Sequence, residues 1–222
     1  MNTRFNRILF DYDGTLIIHD KENEGRQVSK LLGLNEWQTV EFEKRLRDYL
    51  ENHFVLHGVK ITKRAHNENL QNVFRPEEIG TTVKAIDDAI TENSIVSTKL
   101  ANNAKVTLEY LASRGYQLCV FTNGFYSGQV ANMKYKGIYD YFEKIYAWDD
   151  FYAKPDKRAY QRALEKTAPS DNVMIGDTFA TDILPAHEAG IYTIGINFDR
   201  KDLAPGLPDV IISDLSELMN IL

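Results

Sequence analysis

The sequence predicts an α/β fold, an open parallel sheet covered by helices and interrupted once by a helical insert. Two observations carry this. Continuous apolar runs of strand length recur as RILFDY (7–12), QLCVFTN (117–123), KIYAW (144–148), NVMIGD (172–177), YTIGIN (192–197) and DVIIS (209–213), with helix-like stretches between most of them. Strands buried on both faces read this way, because helices cover both sides of the sheet. Residues 17 to about 95 break the rhythm and carry helical periodicity alone.

Taken in order, RILF forms the first strand and ends abruptly at Asp11. In the insert, Phe42, Leu46, Tyr49, Leu50 and Phe54 share one helical face, and Ile79, Val83, Ile86 and Ile90 repeat the pattern after Pro76-Glu77-Glu78, a good helix start. Residues 100–114 form a helix that Gly115 ends, and 156–166 follow Pro155 with Ala159, Tyr160, Ala163 and Leu164 on one face. The second half thus alternates strand and helix. The resulting division is an α/β core of residues 1–16 and 96–222 around an insert of residues 17–95.

The 222 residues, 43% of them hydrophobic, suffice for one sizeable core. Lys and Arg total 26 against 32 Asp and Glu, a formal charge of -6 without blocks of like charge. No electrostatic footprint for a nucleic acid polymer or an anionic membrane is present, so a small ligand is the expected partner, on a monomer or dimer. No apolar segment reaches membrane-spanning length, and the run after Arg4 and Arg7 is too short for a signal peptide. The single cysteine, Cys119, sits in an apolar strand and fits a reducing cytoplasm.

Candidate chemistry collects where strands end. Asp11 and Asp13 follow RILF, Thr122 and Asn123 follow LCVF, Lys154 follows KIYAW, and Asp177 with Asp182 follows NVMIG. Ligands of open parallel sheets bind at that edge, so residues far apart in sequence converge there. Each group alone is commonplace: Asp-Gly is a turn pair, Thr-Asn-Gly a loop with a helix cap, and Lys-Pro-Asp a solvated lysine before a capped helix. Their joint placement is what points to a site. Two carboxylates about 4 Å apart repel by roughly 4 kcal/mol at an effective dielectric near 20, so something must offset the Asp11–Asp13 pair.

In these positions the chain resembles the haloacid dehalogenase superfamily of phosphatases. DYDGT fits its DxDGT motif, Thr122 opens the second motif, Lys154-Pro155 fits the third, and GDTFATD (176–182) fits its GDxxxxD fourth, all in the family's order. The resemblance implies a Rossmann-like core, and the insert falls where that family places a helical cap. It also implies Mg²⁺ held by the carboxylates of Asp11 and Asp177 and the backbone carbonyl of Asp13, with Asp182 supporting the shell around it. A hard divalent cation suits this set, since it binds carboxylate and phosphate oxygens together.

The expected reaction is hydrolysis of a small phosphomonoester. Asp11 attacks phosphorus and forms an aspartyl-phosphate, Lys154 holds Asp11 and a phosphate oxygen, and the Thr122 hydroxyl and the Asn123 amide donate to the remaining oxygens. Asp13 gives a proton to the leaving alkoxide and later takes one from water. The two aspartates are then tolerated because one faces the cation while the other carries a proton. The dehalogenase branch lacks this second aspartate and the metal, so the chain resembles a phosphatase.

A cap that closes over the site expels water and selects the substrate. His19, Asp20 and Lys21 lie near the hinge, and Lys63, Arg64 and His66 form a basic cluster in the insert, while His53, His57 and His187 lack metal-ligand spacing. FTNGF with Gln129 nearby, followed by the stretch through Tyr160, is most similar to the house-cleaning nucleotidase branch acting on nucleoside 5'-monophosphates. Branches acting on phosphoglycolate and sugar phosphates share the core. A sugar phosphomutase uses identical core residues, and a phospho-acceptor signalling module also combines clustered aspartates, Thr and Lys with Mg²⁺ but needs neither a cap nor Asp13.

Overall fold

The apolar runs become strands because alternate side chains on each find a different helical layer. The computed structural model describes residues 5–20, 23–52, 63–148, 152–198 and 207–222, with side chains throughout except at 47–52 and 63. The side chains of Tyr49, Leu50 and Lys63, and residues Arg4, Lys21, His53, Phe54 and His57, lie outside what is described.

Six strands, β1 (Arg7–Phe10), β4 (Gln117–Phe121), β5 (Lys144–Tyr146), β6 (Asn172–Gly176), β7 (Tyr192–Ile196) and β8 (Val210–Ile212), form one sheet in the order β5-β4-β1-β6-β7-β8. Every pairing in it is parallel. On one face Ile8, Phe10, Leu118, Val120, Val173 and Ile175 pack on Leu108 and Leu111 of α5 (Ala104–Ser113). On the other, Leu9, Cys119, Phe121 and Met174 meet Ala159, Tyr160 and Ala163 of α7 (Lys157–Leu164). Each fully buried aliphatic or aromatic side chain here contributes about 1.5–3 kcal/mol.

Central β1 is the point where strand order reverses: the chain next adds β4 and β5 on one side, then β6 to β8 on the other. The register pairs Phe10 with both Val120 and Ile175, so the loops after three adjacent strands open at the same level. That crevice is where open α/β sheets bind ligands.

The insert leaves and rejoins this core through β2 (Ile17–Ile18) and β3 (Lys99–Leu100), a short antiparallel pair. Between them run α1 (Glu24–Leu31), α2 (Glu36–Asn52), α3 (Lys63–Phe74) and α4 (Val83–Ser97). Val28, Phe42, Leu46, Leu70, Phe74, Ile79, Ile86 and Ala89 form a hydrophobic cluster of their own, as the periodic positions of the insert require. Three boundaries differ from the sequence reading. Pro76–Ile79 is a 3₁₀ turn stopped by Gly80 at φ 68, and α4 starts instead at Thr82, whose side chain accepts from the Ala85 N–H. Leu100 pairs with Ile17 rather than opening a helix, so α5 begins at Ala104. α7 stops at Leu164, because Glu165 turns to φ 54. No helix among the described residues is long and apolar enough to cross a membrane.

Candidate active site

At the carboxyl edge of the sheet the sequence-predicted residues come together. Asp11 continues the ladder beyond β1, its N–H donating to the Ile175 carbonyl at 2.8 Å, and Thr122 does the same beyond β4, donating to the Tyr146 carbonyl at 2.9 Å. Both side chains are buried. A turn follows Asp11, in which Gly14 N–H donates to Ile17 O and Leu16 N–H to Tyr12 O. It puts Tyr12 into the core and Asp13 back at the crevice.

Lys154 is the hinge of the cluster. Its Nζ donates to Asp11 Oδ1 at 2.7 Å and to Asp182 Oδ1 at 2.6 Å, and stands 5.3 Å from the centre of the Phe121 ring. The other oxygen of Asp182 accepts from the Thr178 N–H at 3.0 Å, across the single π-helical turn Phe179–Ile183 that follows β6. Thr15 Oγ1 donates to Asp11 Oδ2 at 3.2 Å. Asp11, Asp177 and Asp182 each present an oxygen within 4.8 Å of the others.

One ammonium therefore faces three carboxylates, and the protonation equilibria register the imbalance. Burial pushes the Asp11 carboxyl well above the usual range, Lys154 opposes this, and Asp182 and Asp177 reinforce it. Asp177 is raised to about 6, by burial first and then by Asp182. Burial alone would lower the Lys154 ammonium, but Asp11 and Asp182 outweigh it and hold the group above its ordinary value. The cluster carries negative charge in excess of its own cation, and its donors are all hard oxygens, the chemistry that fits Mg²⁺.

Backbone shape makes the approach of Asp177 possible. Gly14 sits at φ +90, and a side chain there would place its first carbon 2.1 Å from Asp177 Oδ2. Gly14→Ala is thus strained in backbone and in contact; it should lower stability by about 1–3 kcal/mol, read as a lower denaturant midpoint at unchanged slope.

Two side chains do something other than the sequence implied. The Asn123 side-chain amide clamps the Lys154 backbone, donating to its carbonyl at 3.0 Å and accepting from its N–H at 2.8 Å. Its reach is used to hold the lysine loop. Asp13 has both oxygens engaged: Oδ1 lies 2.8 Å from His19 Nε2, and Oδ2 accepts from Gln129 Nε2 at 2.9 Å. Gln129, on α6 (Tyr126–Lys136), also donates to Thr122 Oγ1 at 3.3 Å, and that oxygen accepts from the Gly124 N–H at 3.1 Å. Only the proximity of His19 to the hinge and of Gln129 to the second motif was visible beforehand.

Of the proposed basic cluster of the insert, the two members whose side chains are described, Arg64 and His66, do not gather. Arg64 is exposed and pairs with Glu68 at 2.7 Å, whereas His66 is buried against Asp87 at 2.8 Å and edge-on to Phe125, 4.6 Å between ring centres. Phe125, just past the Thr122 loop, in turn meets Trp148 at 5.7 Å. Asp20 accepts from the Asn23 side chain at the surface, and His187 is exposed.

Comparison with known proteins agrees with this geometry. The haloacid dehalogenase-like hydrolase family model matches residues 5–190. Over 129 residues the chain is 33% identical to the glyceraldehyde 3-phosphate phosphatase of Methanothermobacter thermautotrophicus, covering 54% of this chain and 57% of that one. Over 108 residues it is 32% identical to the pyrimidine 5'-nucleotidase YjjG of Escherichia coli, covering 46% and 48%. These alignments span about half the length of either relative. The HAD-hydrolase YfnB of Bacillus subtilis, solved bound to magnesium, superposes with a TM-score of 0.71 at 21% identity over 99% of both chains, a likeness of fold. With all the motif residues at one sheet edge and the family model covering most of the chain, the protein belongs to the haloacid dehalogenase-like hydrolases.

Proposed function

We propose that the protein is a Mg²⁺-dependent phosphatase that hydrolyses a small phosphomonoester, with a nucleoside 5'-monophosphate as the favoured substrate class. The observation that carries the reading is the cluster of Asp11, Lys154, Asp177 and Asp182, with Asp13 two residues beyond Asp11. Asp11 is the nucleophile: buried, fixed by Lys154 and Thr15, it attacks phosphorus and becomes the aspartyl-phosphate. Lys154 and the Thr122 hydroxyl hold phosphate oxygens, and Asn123 contributes by fixing the lysine loop and through its main-chain N–H. Asp13 delivers the proton to the departing alkoxide and takes one from the attacking water. Asp182 keeps Lys154 in place.

Asp11 and Asp177, with the Asp13 backbone carbonyl, would hold Mg²⁺. Bound there, the ion would neutralise the repulsion between these carboxylates and an incoming phosphate dianion. Helices α1 to α4 act as the cap, and residues 17–95 and the remainder as the two parts of the enzyme. The nucleotide preference draws support from the YjjG relative and from Phe125, a half-buried aromatic ring just past the Thr122 loop. A reducing cytoplasm suits the buried thiol of Cys119.

The deciding experiment measures phosphate release from nucleoside monophosphates, sugar phosphates and phosphoglycolate, with and without Mg²⁺. Expected is Mg²⁺-dependent release, fastest from nucleoside monophosphates. Release independent of divalent ions contradicts the metal role, and isomerised product without free phosphate makes the enzyme a mutase.

Metal binding should also depend on pH. Asp177 holds a proton up to about 6, so below that value the cation must displace it, and above it the carboxylate is free. Affinity for Mg²⁺ should fall by roughly tenfold per pH unit per displaced proton as the pH drops below that point. The Mg²⁺-induced rise in melting temperature should accordingly be larger at pH 7.5 than at pH 5. An equal rise at both would contradict a role for Asp177 as a ligand.

A further inference from the structure

Building on the phosphatase reading, we infer that His19 and Gln129 are positioning residues that clamp the carboxyl of Asp13 in the orientation needed to protonate the leaving group. Asp13 comes from a turn that also contains the flexible Gly14, and its side chain is partly exposed, so the turn alone does not fix its rotamer. The clamp does. His19 Nε2 lies 2.8 Å from Oδ1, and Gln129 Nε2 donates to Oδ2 at 2.9 Å. The two partners come from independent elements, His19 from the residue after β2, where the chain passes into the insert, and Gln129 from the first turn of α6.

The protein keeps space for this arrangement. A side chain at position 124 would bring its first carbon to 2.0 Å from Gln129 Nε2, so Gly124 lets the amide reach across the second-motif loop. Having arrived, the same amide nitrogen also lies 3.3 Å from Thr122 Oγ1. Gln129 therefore ties the proton carrier to a phosphate-binding hydroxyl. With one partner on each oxygen, the plane of the Asp13 carboxyl is set from two sides.

The role has a kinetic signature that a general structural role lacks. An alkoxide leaves only if it is protonated in the transition state, whereas a nitrophenolate leaves without help. kcat/KM covers only the steps through phosphoryl transfer to Asp11, so it isolates proton donation from the later water attack. His19→Ala should lower kcat/KM for glycerol phosphate by about 10- to 100-fold and that for 4-nitrophenyl phosphate by less than about threefold, whereas Gln129→Ala, which also releases Thr122 Oγ1, should slow both esters but glycerol phosphate about tenfold more. His19→Gln, which restores a hydrogen-bonding group near Oδ1, should recover most of the loss.

Turnover of the nitrophenyl ester reports that a variant is folded. Equal losses on both esters, or no loss on glycerol phosphate, would overturn the clamp while leaving the phosphatase assignment intact. Wild-type protein that, with Mg²⁺ present, releases phosphate from neither ester nor from any nucleoside monophosphate would overturn the assignment itself.

Discussion

Asp11→Asn should fold as well as the parent and release no phosphate above the uncatalysed background. The substitution is isosteric: its oxygen accepts from Lys154 Nζ, 2.7 Å away, and its amide nitrogen donates to Thr15 Oγ1, 3.2 Å away. It also removes one of the carboxylates crowded within 4.8 Å, so the melting temperature should stay or rise. What disappears is the nucleophile, because an amide oxygen does not displace an alkoxide from phosphorus. Asp13→Asn is the useful contrast: the nucleophile survives and only proton transfer fails, a loss of roughly 10²- to 10⁴-fold. Phosphate-release assays beside calorimetric melts separate the cases. Near-parental turnover in Asp11→Asn would end the nucleophile assignment.

Lys154→Met should be the most destabilising single change at the site. The side chain is 2% exposed, and its ammonium lies between Asp11 and Asp182 at 2.7 and 2.6 Å. Methionine matches the stem but strands both carboxylates in the interior, a cost of about 3–5 kcal/mol for a broken buried pair. For a chain of this size that is a drop of roughly 6–20 °C in melting temperature. The sign of the pH dependence follows from the neighbours. Without the ammonium that opposes it, the upward shift of the buried Asp11 carboxyl grows, so the stability it contributes is present at low pH and lost as pH rises. The variant should therefore be worse, relative to the parent, at pH 8 than at pH 5, and Asp182→Asn added to it should restore part of the loss. A pH-independent deficit would mean that packing, and not charge, is what Lys154 supplies.

The strands and the residues at their ends were legible because both signals are local. An apolar run that stops at Asp11, Thr122 or Asp177 marks a strand end without reference to the rest of the chain, and parallel sheets bring such ends to one edge. Helix limits were harder, since they turn on single backbone angles. Gly80 at φ 68 moved the start of α4 from Pro76 to Thr82, and Leu100 was drawn into a two-residue strand by Ile17, 83 positions earlier, with which it pairs. Arg64 and His66 part for a related reason: near neighbours in sequence on α3 point to different surroundings, Arg64 to solvent and His66 to Asp87 and Phe125.

By itself the sequence determined the α/β class and the run of helices in the insert, and it singled out the acids, hydroxyl and ammonium that the fold gathers at one sheet edge, because hydrophobic periodicity and residue chemistry are properties of short segments. Only the tertiary structure decided how those groups are held: Asn123 on the backbone of Lys154, Asp182 on its ammonium, His19 and Gln129 on Asp13. Hydrogen bonds of that kind are settled by distances of a few tenths of an ångström between segments that are remote along the chain, and no local pattern encodes them.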